Sequence, residues 1–360
     1  MTQQGETLGQ RLASRLEREW YAQAGGLTPW LSGLLRPLSW LYAGLSTSRA
    51  LLYRWGWKKT AQLPVPVIVV GNWIVGGAGK TPTTLALIQV LQKQGLRVGV
   101  ISRGYGRNNE DLRLIQSDSL ASEVGDEPLL IHLRSRVPVA VGRDRVAAAQ
   151  ALLQAHPELQ ILISDDGLQH LRLPRDLAVL VFDERGLGNG RLLPAGPLRQ
   201  RARLQAEAKQ LVLYNAAQPS TPLPGHLAQR RLAGAVRLQD WWQGRPASLQ
   251  ALHELRQRPE SALLATAGMA HPQRFFKMLA EQGLRFQTLP LPDHYNFAVI
   301  PWPAASPTVL LTEKDAIKLR PERCPTTEVW VVALDFRLDA AFEQALCEQL
   351  QGLGLGARDR

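Results

Sequence analysis

From about residue 64, short runs of consecutive apolar residues recur along the chain, each broken by a glycine-, arginine- or acid-bearing turn. They predict strands at Val65–Val70, Arg97–Ser102, Val137–Val141, Gln160–Ser164, Leu177–Phe182 and Leu211–Tyr214. Helical spacing fills several of the gaps, as over Pro82–Gln94, Pro128–Ser135 and Arg145–Ala155. Strands apolar throughout, alternating with helices, imply a mainly parallel sheet covered by helices, with ligands at the C-terminal strand ends. The stretch Ala216–Gln243 is rich in Pro, Gly and Gln and reads as a boundary. Beyond it, strands are predicted at Ala262–Ala267, Phe286–Leu289, Thr308–Thr312 and Glu328–Ala333, with a helix over Pro272–Glu281. The expected organisation is an α/β domain over 61–215, a linker over 216–243 and a second, smaller α/β lobe over 244–360.

The first sixty residues follow a different pattern. Five of the ten tryptophans (Trp20, Trp30, Trp40, Trp55 and Trp57) lie there, with Arg36, Arg49, Arg54, Lys58 and Lys59, beside the leucine-rich run Leu31–Leu52. Tryptophan and basic residues on an amphipathic helix suit the membrane–water interface. Arg36-Pro37 and Arg49 interrupt the apolar run, so a helix lying in the interface is expected rather than one that spans. The net charge of +11 asks for an anionic partner. Residues 1–60 are therefore read as an amphipathic, membrane-associated segment. Its removal is expected to harm activity on a bilayer substrate more than nucleotide binding. The two cysteines, Cys324 and Cys347, have no metal-ligand spacing, and no disulfide is expected. The seven histidines form no His-x-x-x-His pair, which argues against zinc.

The strongest chemical signal is Gly76-Gly77-Ala78-Gly79-Lys80-Thr81, directly after the first strand. Glycines let backbone N–H groups approach an anion, and the helix that follows aims its positive end there. Lysine adds a point charge for β- and γ-phosphates, and the threonine hydroxyl can hold Mg²⁺. The strict pattern wants glycine where this chain has Ile74. Ile74, Val75, Gly76, Gly77, Ala78, Gly79, Lys80 and Thr81 are the nucleotide-binding candidates of a P-loop. The strand Leu159–Ser164 ends in Asp165-Asp166-Gly167, placed as an acidic residue that coordinates Mg²⁺. Successive strand residues face opposite ways, so one carboxylate would meet the metal and the other a neighbouring side chain.

Three further segments read both ways. Gly125-Asp126-Glu127-Pro128 is either a helix cap or the home of a general base. Asp293-His294-Tyr295 is either surface or a base tuned by a carboxylate. Thr312-Glu313-Lys314-Asp315 is close to a capping box. Arginine-bearing turns after strands include Arg103 with Tyr105, and Arg143 with Arg145. Guanidinium forks match phosphate oxygens.

Taken in order, these segments resemble the tetraacyldisaccharide 4'-kinase family, which phosphorylates the lipid A precursor of Gram-negative lipopolysaccharide. The resemblance rests on Gly71-Asn72 with Gly76 through Pro82, Ser102 through Gly106, Gly125 through Pro128 and Asp165 through His170. It continues through Gly188-Asn189-Gly190, Pro197-Leu198-Arg199, Ala267-Gly268 with Pro272, Arg274 and Phe275-Phe276, Asp293 through Tyr295, and Thr312 through Asp315. It implies an ATP- and Mg²⁺-dependent lipid kinase with two lobes and ATP between them, and a P-loop with its glycines shifted as here. Transfer of the γ-phosphate to the 4'-hydroxyl of tetraacyldisaccharide 1-phosphate would follow. The family's catalytic pair would fall on Asp126 and His294, brought together by closure of the cleft, with Lys80 on the phosphates. Thr81 and one of Asp165 and Asp166 would hold the metal. Arg103, Tyr105, Glu127, Arg143 and Arg145 are the weaker substrate candidates. The implied setting is the cytoplasmic face of the bacterial inner membrane, peripheral or monotopic, with an anionic membrane surface as partner. No nucleic-acid or protein partner is implied. The alternatives are a P-loop GTPase or metallochaperone, although no Asn-Lys-x-Asp segment is present, and a nucleic-acid-binding ATPase suggested by charge alone.

Overall fold

The computed structural model describes residues 8–21, 30–107, 109–205, 207–269, 271–303, 306 and 308–355. Parts of the 1–60 segment (1–7 and 22–29) and of the C-terminal lobe (356–360) thus lie outside the described residues. Helices α1 (Leu8–Tyr21), α2 (Trp30–Leu34) and α3 (Arg36–Arg54) come first, then β1 (Val67–Gly71), α4 (Lys80–Lys93) and β2 (Val98–Ser102). The chain continues through β3 (Arg113–Leu114), α5 (Ala121–Val124), α6 (Asp126–Ser135), β4 (Val139–Val141), α7 (Arg145–Ala155) and β5 (Ile161–Asp165). Next are β6 (Leu177–Asp183), β7 (Gln210–Asn215), β8 (His226–Leu227), β9 (Gln229–Arg237), α8 (Leu238–Trp242) and α9 (Leu249–Arg256). The last elements are β10 (Leu263–Ala267), α10 (Pro272–Glu281), β11 (Gln287–Pro290), β12 (Thr308–Thr312), α11 (Glu313–Ala316), β13 (Glu328–Arg337) and α12 (Ala340–Gly352).

Two compact units result, each assembled from separate stretches of sequence. One comprises described residues within 1–80, 166–228 and 339–360, the other those within 81–165 and 229–338. In the first, the strands run β1-β6-β7-β8, all parallel, with Ile68 opposite Leu177 and Leu180 opposite Val212. Every residue of β1 and β6 is buried, as strands covered on both faces require. Helices α1 to α3 belong to this unit. Among the described residues no helix is long and apolar enough to cross a membrane.

The second unit holds the series β3-β4-β2-β5, parallel except at β3, and a five-stranded sheet β11-β10-β12-β13-β9, parallel except at β9. Phe275, Phe276 and Leu279 on one face of α10 pack with Leu255, Leu310 and Trp330 to form the core of the latter. Antiparallel β9 falls within 216–243, the stretch expected as a linker, and one cut between the units also falls there, after Ala228. Its sequence QRRLAGAVR carries too many arginines to read as a strand, yet its pairing with β13 is the longest in that sheet.

Candidate functional site

The phosphate loop leaves β1 at Gly71, where a Cβ would lie 2.5 Å from Leu168 Cγ. Ile74 does not hang in the loop. It is fully buried and bridges antiparallel to Leu198, while Val75 N donates to Pro197 O at 2.9 Å and Arg199 N donates to Trp73 O at 2.7 Å. A β-branched residue suits this strand-like segment, so glycine is not needed there. The Val75 amide is thus taken by the Pro197 carbonyl. Among the described residues no carbonyl takes the N–H of Gly76, Gly77 or Ala78. Gly76 and Gly79 turn the chain at φ +96° and +93°, and α4 begins at Lys80. Lys80 is buried, and its Nζ donates to Asn72 Oδ1 at 3.3 Å and to Gly76 O at 3.5 Å. Thr81, also buried, lies in the first turn of α4.

The two carboxylates at the end of β5 part company, because Asp165 ends the strand and Asp166 turns away from it in a left-handed conformation. Asp166, at φ +50°, accepts Arg199 Nη1 at 2.9 Å and lies 3.8 Å from Lys80 Nζ. Asp165 is buried and accepts from Thr84 Oγ1, one turn into α4, at 3.3 Å.

Asp126 is the first residue of α6, whose N-cap is Gly125, with no side-chain cap. Its carboxylate is thus not used as a cap. Asp126 Oδ2 meets His294 Nδ1 at 3.0 Å, both residues belonging to the same compact unit. The pair therefore stands assembled within one unit, without the cleft closure expected of residues in two different lobes. His294 holds a left-handed backbone, φ +58°, a conformation that non-glycine residues adopt at a cost. Its ring centroid lies 6.0 Å from that of Tyr105.

The segment Thr312–Asp315 underlies this pair. Thr312 Oγ1 does cap α11, accepting from Asp315 N at 3.2 Å, and it donates to Asp315 Oδ2 at 2.7 Å. This helix and the turn after it carry cations to the acids. Lys314 Nζ lies 3.6 Å from Asp293 and 3.9 Å from Glu127, and Lys318 Nζ lies 3.7 Å from Asp126 Oδ2 and 3.4 Å from Asp315 Oδ1. Buried Glu313 receives Arg134 from the far end of α6 and Trp241 Nε1 at 3.2 Å. Helix α6 is held at both ends by one short element.

The sequence profile of LpxK, tetraacyldisaccharide-1-P 4'-kinase, matches residues 31–351. The chain belongs to the tetraacyldisaccharide-1-P 4'-kinase family. It is 53% identical over 345 residues to a tetraacyldisaccharide 4'-kinase of Leptothrix cholodnii, covering 94% of this chain and 97% of that one. A second, from Methylibium petroleiphilum, is 53% identical over 317 residues, covering 87% and 88%. Crystalline LpxK from Aquifex aeolicus, in complex with ATP, superposes with a TM-score of 0.73 at 27% identity, over 90% of this chain and 99% of that one. The α/β fold and the assignment as a kinase follow, and neither the GTPase nor the nucleic-acid reading is favoured.

In this kinase the weaker candidates are dispersed. Tyr105 and Glu127 lie around the Asp126–His294 pair, the first through its ring and the second through Lys314. Arg143 forms an exposed ion pair with Glu110 at 2.9 Å, while Arg145 is buried with Nη1 donating to Arg143 O. Arg103 is exposed. Sequence reasoning met Arg199 only as part of an arginine-bearing turn, and it missed Lys318, Arg185 and Asn215. Arg185 reaches from its ion pair with buried Asp183 to donate to Gly77 O at 3.0 Å, and Asn215 Nδ2 donates to Ala78 O at 3.1 Å. The latter two brace the loop from the ends of β6 and β7. Strand-end position was their only signal.

Proposed function

We propose that the two clusters divide the work of one phosphoryl transfer, from ATP to the 4'-hydroxyl of tetraacyldisaccharide 1-phosphate. Lys80 and the backbone N–H groups from Gly76 onward hold the β- and γ-phosphates. Asp166, ion-paired with Arg199, steadies Lys80. Asp126 takes the proton of the attacking hydroxyl, and His294 orients that carboxylate and shares the proton. Alignment and charge neutralisation do most of the remaining work, since the protein makes no covalent bond in such a transfer. The reading is carried by the contact of Asp126 with His294, in a chain whose lysine-bearing loop leaves the N–H groups of Gly76, Gly77 and Ala78 unpaired among the described residues.

The donor set suits Mg²⁺. This ion takes one or two carboxylates, substrate phosphates and water, rather than an all-protein cage. Among the described residues no group of three or more His, Cys, Asp and Glu could hold a metal by itself. Thr81 and Asp165 are the residues assigned to it, because the Asp166 carboxylate is already matched with guanidinium. When bound, the ion neutralises charge on the phosphates.

At the level of sequence blocks, 61–215 supplies the loop and the base, and 244–360 supplies His294 with its lysines. Residues 1–60 meet the anionic membrane surface, with the enzyme peripheral or monotopic on the cytoplasmic face of the bacterial inner membrane. No nucleic-acid or protein partner is needed. The test is transfer of labelled γ-phosphate to purified tetraacyldisaccharide 1-phosphate in detergent. Wild type should yield the labelled bisphosphorylated lipid. Lys80→Ala and Asp126→Ala should each yield about 10²–10⁴-fold less. ATP hydrolysis with an unlabelled lipid, where a control kinase succeeds, would overturn the reading.

A further inference from the structure

Helix α3 is built inside out. Its buried residues are the small Ser39 and Ala43, whereas Leu38, Trp40, Leu41 and Leu45 are 54%, 71%, 61% and 66% exposed. With Leu34 of α2, 69% exposed, the leucines recur at intervals of four, three and four, which is one stripe of a helix. A contiguous apolar stripe of this kind marks a surface that something covers. Beside it is a cavity of about 280 Å³ lined by Arg36, Ser39, Trp40, Arg191, Leu192 and Arg201, among others. Ser39 Oγ donates to Leu192 O at 2.8 Å, so its floor is fixed.

Charge decides what fits there. Among the described residues Arg36, Arg191 and Arg201 pair with no carboxylate, and Arg191 has Ser32 Oγ at 3.5 Å as its polar neighbour. No aspartate or glutamate occurs between Glu19 and Glu110, around Arg36, or between Glu184 and Glu207, around Arg191 and Arg201, and buried Glu19 accepts from Ser32 N at 3.0 Å. Three guanidinium groups beside a leucine stripe, with an indole at their boundary, match a molecule having a phosphate at one end and hydrocarbon at the other. A second copy of this chain is a poor occupant, because a two-fold contact would set one uncompensated arginine cluster against another.

We propose that this cavity binds the phosphate of an anionic bilayer lipid, whose acyl chains run along Leu34, Leu38, Leu41 and Leu45. The ligand is bulk membrane lipid and not the acceptor of the reaction. The proposal deepens the membrane reading above and rests on it.

The test is co-sedimentation of the full chain with vesicles of phosphatidylcholine, with and without phosphatidylglycerol. Three variants are compared: Arg36→Gln/Arg191→Gln/Arg201→Gln, a control with Arg245→Gln/Arg256→Gln/Arg285→Gln, and Leu38→Gln/Leu41→Gln. The cavity variant should lose about 100-fold in affinity for the anionic vesicles, and the control of equal charge far less. Its kcat and KM with detergent-dispersed acceptor should equal those of wild type. Equal losses in both arginine variants would reduce the effect to overall charge and overturn the site. Displacement by millimolar inorganic phosphate, or a raised KM for the acceptor in detergent, would overturn the choice of ligand. Self-association abolished by the leucine changes would instead make the stripe a dimer contact. If wild type binds neither vesicle, the membrane reading itself fails. If the leucine variant loses binding and the cavity variant does not, only the headgroup site fails.

Discussion

Two glycines decide where the Asp126 carboxylate sits. Gly125 has φ +93° and ψ 149°, a region essentially closed to residues that carry a Cβ. A Cβ on Gly125 would lie 2.9 Å from Gly104 Cα, and one on Gly104 would lie 2.6 Å from Val124 O. The turns touch backbone to backbone, which explains why Gly104 and Gly125 both stand where they do. Gly125→Ala should cost about 1–3 kcal/mol of stability. It should lower kcat by displacing Asp126, with ATP affinity in equilibrium dialysis unchanged. A variant that folds with full kcat would show that the contact does not position the proposed base. Lys318 makes the complementary case. Its ammonium is buried beside Asp126 and Asp315, with a ring centroid, that of Phe297, 5.6 Å away. Lys318→Met leaves buried Asp315 and partly buried Asp126 without their shared cation, a change that destabilises strongly. The expected signature is a kcat at least tenfold lower with an unchanged KM for ATP, partly restored by Lys318→Arg. Loss of thermal stability alone, at full kcat, would reduce Lys318 to a structural role.

At the scale of elements, the tie at Glu328 gives the five-stranded sheet an acid-sensitive joint. Glu328 opens β13 and accepts Arg258 Nη1 beyond the end of α9, Thr308 Oγ1 at the start of β12 (3.1 Å) and Arg237 Nη2 at the end of β9 (2.9 Å). The bond from Arg258, together with the other partners, holds its carboxyl below the ordinary glutamate range. A carboxylate depressed in the folded state contributes stability above its unfolded pKa, and that contribution is lost as pH falls through the folded value. Glu328→Gln should therefore melt lower than wild type at pH 7, with the gap closing below about pH 4. Melting curves at both pH values check this; a constant gap would mean that packing, not charge, holds the joint. Much of this sheet is legible in the sequence. Strands β10, β12 and β13 lie within a few residues of the predicted runs because each is mostly apolar and bounded by turn residues, and β11, QTLP and largely exposed, falls one residue from its predicted run. Strand β9 is not, since an edge position tolerates QRRLAGAVR. The site divides along the same line. The P-loop is local and readable from spacing, whereas the Asp126–His294 contact spans 168 positions and the Arg199–Asp166 contact spans 33, with no periodicity to announce either.

For the whole molecule, the question is whether the N-terminal segment can be separated from the nucleotide site. Deletion of 1–60 is the obvious experiment, but the structure argues against a clean result. Trp20 Nε1 donates to Pro194 O at 3.2 Å and Tyr42 Oη to Arg199 O at 2.7 Å. Arg199 in turn holds Asp166, which faces Lys80. Deletion should therefore weaken ATP binding as well as membrane contact, because it removes the support beneath the residue that steadies the lysine. Surface substitution separates the two. Leu38→Gln/Leu41→Gln leaves Trp20 and Tyr42 in place and removes two exposed leucines, each worth about 1.5–3 kcal/mol when fully buried in hydrocarbon. Activity on acceptor embedded in vesicles should fall about 10–100-fold, while activity on acceptor in detergent stays at the wild-type level. Added salt should weaken vesicle activity of wild type and double variant by a similar factor, since screening acts on the arginines and not on the stripe. Equal losses in detergent and in vesicles would mean that α3 supports the fold and not the encounter with the bilayer.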